Sequence, residues 1–158
     1  MSAARRTTVY VVRHAKAGSR RNWAGPDQER PLSTRGRRQA DLLAKSLGDR
    51  GVERVISSGY LRCVETVTPL AARLGLTVEQ DQALAEGADD EDALALIDSL
   101  ACPTVLCTHG DVLGGLLHHA HRHGVSLDDD RIEKASTWVL ELVEGAIVAA
   151  SYELPPPS

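Results

Sequence analysis

"VYVVRHAKAG", residues 9–18, decides the fold. Four residues with strong strand preference lead directly into Arg13 and His14, and then into a loop carrying Lys16 and Gly18. The run reads as a buried strand, yet it ends in two ionisable side chains. In an open sheet of parallel strands such residues have a place, because the ligand crevice lies just beyond the carboxyl ends of the strands.

The rest of the chain supplies that sheet. After TTVYVVR (7–13) comes a long loop, AKAGSRRNWAGPDQERP (15–31), of a length that is often functional in a small domain. Residues 33–51 place Ala40, Leu43, Ala44 and Leu47 at helical spacing, with Ser33 or Thr34 as N-cap and Gly51 as the stop. VERVISS (52–58) predicts a second strand, and YLRCVETVTPLAARLG (60–75) a helix ending near Gly75 and bent or loosened at Pro69. LTVEQ (76–80) is a short third strand. DDEDALALIDSL (89–100) opens with acids that favour the positive end of a helix dipole and closes before Pro103. TVLCTH (104–109) is a fourth strand and GDVLGGLLHHAHRHG (110–124) the helix after it. STWVLELV (136–143) and AIVAASYEL (146–154) form a hairpin around Glu144 and Gly145.

Alternating strands and helices predict an α/β fold, a three-layer α/β/α sandwich whose central sheet is mostly parallel with an antiparallel edge. One domain is expected over residues 1–158, with a core at about 8–153 and a flexible tail at 154–158. A chain of 158 residues can bury roughly two thirds of its unfolded surface, so neither disulfide nor structural metal is required.

Charge is nearly balanced, 22 acidic against 18 basic residues, which gives no general field for a nucleic-acid polymer or an anionic membrane. Any anion site must be built locally. Of the basic residues only Lys16, Lys45 and Lys134 are lysine, a skew toward arginine that suits oxyanions but also follows from genome composition. Cys63, Cys102 and Cys107 show no CxxC spacing, and there is neither a signal-peptide core nor an apolar run of roughly 20 residues. A cytoplasmic protein is expected. Oligomeric state is not readable.

Collecting the residues after each strand gives Arg13 and His14, then Ser57 and Ser58 with Arg62 in the next helix, then Glu86, then His109 and Gly110. Two guanidinium forks can neutralise and orient a phosphoryl dianion through paired hydrogen bonds, and helix N-termini add backbone donors. A neutral imidazole can attack phosphorus in line, forming a phosphohistidine that water then opens.

These residues carry a family resemblance. VRHAKAG resembles the RHG motif of the histidine phosphatase superfamily, the phosphoglycerate mutase-like group, SSGYLRCVET resembles its S-x-x-x-R-[CA]-x-x-T segment, and THGDVL its second histidine motif. ERPLSTRG and the short length are similar to the SixA-like phosphohistidine phosphatase branch, and also to the phosphatase half of certain mycobacterial MutT-type nucleotide hydrolases. The resemblance spans residues 8–150 and implies metal-independent catalysis without a cofactor. It makes His14 the phosphorylated nucleophile, with Arg13, Arg62 and His109 around the phosphoryl oxygens. Arg30 corresponds to a substrate-contacting arginine, and Glu86 stands where larger members carry the acid for the leaving group. AKAGSRRNW replaces the mutase run G-E-S-x-W-N, which argues against a phosphoglycerate mutase.

The substrate expected first is a protein phosphohistidine or another small phosphorylated molecule. The alternatives are a nucleoside di- or polyphosphate, or a catalytically silent phosphate-binding module. Lys16, Arg20 and Arg21 are candidates to admit the anion, although charged loops are usually only solvated. Arg62 could instead pair with Glu65, and Glu86 could belong to a solvated acidic stretch. In HHAHRHG only His119 and His123 share a helical face, so the cluster His118–His123 reads as a solvent face and no metal site is expected. Cys63 and Cys107 are expected to pack as small apolar residues.

Overall fold

A computed structural model describes residues 3–157. Six strands form one sheet in the order β3-β2-β4-β1-β5-β6. They are β1 (Arg6–Arg13), β2 (Arg54–Ser57), β3 (Val78–Gln80), β4 (Thr104–Thr108), β5 (Thr137–Val143) and β6 (Ala146–Glu153). β1 and β2 pair parallel with β4, and β3 pairs parallel with β2. β5 and β6 add the antiparallel edge, so the α/β class and the mixed sheet are as the alternation predicts.

Side-chain alternation along β1 divides the core. Val9 and Val11 face one apolar layer, with Leu106, Leu113, Leu116 and the fully buried Trp138. Tyr10 and Val12 face the other, with Leu43, Leu47, Val67 and Leu70. Helices α1 (Thr34–Leu47) and α2 (Leu61–Leu74) cover the second face, while α3 (Asp90–Asp98) and α4 (Gly110–Arg122) cover the first. Both helix pairs present apolar stripes, which is why the central strands read as nearly continuous hydrophobic runs.

Several boundaries move from their predicted places. Ser33 caps α1, accepting from the Gly36 amide, but the helix closes at Gly48 and leaves Gly51 to a following turn. Helix α2 runs continuously through Pro69 and ends at Gly75 in the left-handed conformation. The long loop is less open than its composition suggests: Ala17 bridges to Leu32, and Asp27–Glu29 form a 3₁₀ turn. Glu144 and Gly145 both take positive φ, 50° and 79°, as a two-residue hairpin with right-handed strand twist requires. Within the predicted tail, Leu154–Pro157 belong to no helix or strand and line a surface groove, and Ser158 lies outside the described residues.

Candidate active site

His14 follows the last residue of β1, and its amide donates to the Thr108 carbonyl at the end of β4 (3.0 Å). The next amide, Ala15, donates to Thr66 Oγ1 on α2 (2.9 Å), so the chain is pinned on both sides of the imidazole. His14 Nδ1 lies 2.8 Å from the Ala15 carbonyl. A carbonyl only accepts, so Nδ1 carries the proton and Nε2 keeps its lone pair.

Burial lowers the His14 pKa to about 3; the Ala15 hydrogen bond opposes the shift, and the charges of His109, Arg62 and Arg13 add to it. The ring is therefore neutral at pH 7. Its ordinary value is 6.5, so between 6.5 and about 3 an unfolded chain binds a proton that the folded one refuses. The contribution to stability is whole above that window and is lost as pH falls through it. Urea midpoints measured from about pH 7 down to about pH 4 check this: His14→Gln, which cannot titrate, is expected to lose less stability than the wild type.

One cavity of about 470 Å³ is lined by Arg13, His14, Arg30, Arg62, Glu86 and His109, together with Arg20 and Lys134. The strand-end residues thus do converge. The rings of His14 and His109 lie 5.5 Å apart. His109 begins α4, with Nε2 2.9 Å from Ser58 Oγ and its ring edge-on to Tyr60 at 4.7 Å. Arg13 donates to the Ile132 carbonyl (2.7 Å), and a Cβ at Gly110 would come within 3.1 Å of its guanidinium carbon. Only glycine lets the start of α4 approach that fork so closely.

Arg62 is 1% exposed and lies under the loop after His14. It donates to the Asp27 carbonyl (2.9 Å) and to Asp27 Oδ2 (3.1 Å), and sits 3.5 Å from Glu86 Oε2. Glu65 does not take it; that carboxylate accepts from the Leu32 amide instead. The Glu86 loop is held by Thr108 Oγ1, which donates to the Leu84 carbonyl, and by Asp111, which accepts from the Gly87 amide at 2.8 Å. Arg30 donates to the Gly18 carbonyl and to Asp27, closing the loop from its other end.

Lys16 is placed elsewhere than expected. It is exposed and lines a separate groove of about 580 Å³ with Arg35, Gln39, Lys134 and the C-terminal prolines. Lys16 lines that groove and is absent from the lining of the cavity around His14, while Lys134 lines both spaces. Lys134 has its pKa lowered by burial and by the cations around it, Arg13 first among them. His119 and His123 stack at 4.1 Å on the outer face of α4, remote from this cavity's lining. Cys63 and Cys107 are fully buried.

Sequence reasoning missed Asp27 and Lys134. Asp27 gathers Arg20, Arg30 and Arg62 around one carboxylate, and although burial pushes its pKa up, the Arg30 and Arg62 guanidiniums hold it below the ordinary value. An acid inside a basic loop offers no pattern of its own; its proximity to ERPLS was the only signal. Cations outnumber the carboxylates Glu86 and Asp111 in the lining, so the cavity favours an anion. Among the described residues, Arg13 Nε, Arg62 Nε and His109 Nδ1 are buried without a hydrogen-bond partner. Such atoms are rare in folded proteins, and these three belong to residues that line one cavity.

Residues 9–92 match the family model of the Histidine phosphatase superfamily (branch 1). An 8-oxo-(d)GTP phosphatase of Mycolicibacterium smegmatis is 37% identical over 156 residues, covering 94% of this chain and 48% of its own. An uncharacterised protein of Mycobacterium tuberculosis is 41% identical over 87 residues, 52% of this chain and 42% of its own. The chain thus spans about half the length of the curated relatives it matches. Among solved structures, the protein histidine phosphatase SixA complexed with tungstate superposes with a TM-score of 0.74 at 21% identity, covering 93% of this chain and 94% of that one. No helix among the described residues is long and apolar enough to cross a membrane.

Proposed function

The chain belongs to the histidine phosphatase superfamily (branch 1), and from that premise we propose that it hydrolyses nucleoside polyphosphates through a phosphohistidine at His14. The observation that carries the chemistry is the state of that imidazole: neutral, its Nδ1 proton held by a carbonyl, and its ring in a cavity with Arg13, Arg62 and His109. Nε2 attacks phosphorus, the bond to the leaving oxygen breaks, and the guanidiniums and His109 meet the charge on the equatorial oxygens. Glu86 gives the leaving oxygen its proton and takes one back from the water that opens the phosphohistidine.

The order of the two enzyme readings reverses here. Protein phosphohistidine was the first expectation, but the likeness to SixA is one of fold at low identity. The relative named for 8-oxo-(d)GTP shares far more of this chain's residues, along nearly its whole length, and so favours a nucleotide.

The test is mass spectrometry of protein quenched during turnover of a nucleoside triphosphate, with EDTA present throughout. An added phosphate on the peptide carrying His14 is the expected result, and a phosphohistidine protein offered in parallel should react more slowly. Turnover without that adduct would refute the covalent route. No turnover of any phosphorylated compound would leave only the silent binding module.

A further inference from the structure

Beside the cavity around His14 lies a second space of about 280 Å³, lined by Arg20, Trp23, Gly25, Asp27 and Glu86. Arg20 and Glu86 line both, so the two are neighbours across those side chains. Trp23 is 36% exposed, and a single surface aromatic ordinarily needs no explanation. This one is held. Its Nε1–H donates to the Pro26 carbonyl at 2.8 Å. A Cβ at Gly25 would lie 3.1 to 3.3 Å from three atoms of the indole, so the loop packs a residue without a side chain against the ring. The indole is thereby oriented before any ligand arrives, at the border of the space beside Glu86.

We propose that Trp23 is the platform on which the aromatic base of a nucleoside polyphosphate stacks while the terminal phosphoryl group lies against His14. The inference rests on the phosphoryl-transfer reading above and specifies which end of the substrate goes where. Glu86, at the boundary, is where the leaving oxygen between the transferred phosphoryl group and the rest of the substrate passes. Arg20, on the same boundary, meets the charge of the remaining phosphates. Any base has a π face, so the indole accepts a nucleobase by stacking, and Asp27 beside it, held ionised by its arginines, can only accept hydrogen bonds, which favours a base edge rich in N–H donors.

The experiment compares a nucleoside triphosphate with inorganic tripolyphosphate, which has the phosphates but no base. For Trp23→Ala, kcat/KM on the nucleotide is expected to fall about 5- to 100-fold, and on tripolyphosphate by less than about 2-fold. Trp23→Phe should restore most of the nucleotide activity, since it keeps a stacking face. Equal losses on both substrates would overturn the proposal. A second measurement does not depend on turnover: titration of His14→Ala protein with the nucleoside triphosphate, followed by tryptophan fluorescence. The other tryptophan, Trp138, is fully buried, so quenching reports Trp23. Quenching that disappears in the His14→Ala, Trp23→Phe double variant supports the platform even if the hydrolysis reading fails; absence of quenching at nucleotide concentrations that saturate the protein refutes it.

Discussion

Replacing His14 by alanine is expected to lower kcat by at least about 10³-fold on every phosphorylated substrate, because it removes the attacking atom itself. Binding should survive. Arg13, Arg30, Arg62 and Lys134 still line the cavity, so a phosphate competitor is expected to bind the variant nearly as tightly as the wild type. Stopped-time assays with equilibrium dialysis of inorganic phosphate separate the two effects. A variant that keeps a tenth of its turnover would show that the imidazole positions substrate and does not form the bond to phosphorus. His14→Gln would give the same answer without opening a cavity, since its side chain fills much of the space and cannot attack.

Arg62→Ala is expected to cost about 10²- to 10³-fold in kcat, the usual loss when a preorganised donor to the developing charge is removed. The buried fork meets Asp27 and Glu86 in the free protein, so phosphoryl binding must loosen those pairs. Arg62→Lys keeps the charge but not the paired donors, and should recover only part of the loss. Glu86→Gln discriminates the remaining role: on an alkyl phosphate its rate should fall about 10²- to 10⁴-fold, and much less on an activated aryl phosphate whose leaving group needs no proton. If both substrates suffered alike, Glu86 would be holding Arg62 in place instead of moving a proton.

Much of the fold was legible because its determinants are local. The apolar, strand-favouring runs at residues 9–12 and 104–107 bury on both faces, and helix α1 begins where Ser33 can cap it. The end of α1 was misplaced by three residues because Gly48 and Gly51 both break a helix, and only packing against the rest of the chain decides which does. Helix α2 continues through Pro69, with Thr66, Val67, Leu70 and Ala71 buried on either side of it.

The site divides the same way. Arg13, His14, Arg62, Glu86 and His109 could be collected from the sequence because each stands close after a strand, and a parallel sheet delivers every such end to one edge. Lys16, Asp27, Trp23 and Lys134 could not be placed by that rule, since their positions come from how two irregular segments fold back over the edge. Sequence alone therefore determined the sheet, its reactive edge and the residues that strands carry there, through short-range propensity and hydrophobic period. Tertiary structure alone decided that one carboxylate gathers three arginines, that Lys16 turns outward, and that an indole and Glu86 line one space, because loop conformation depends on contacts between residues far apart in the chain.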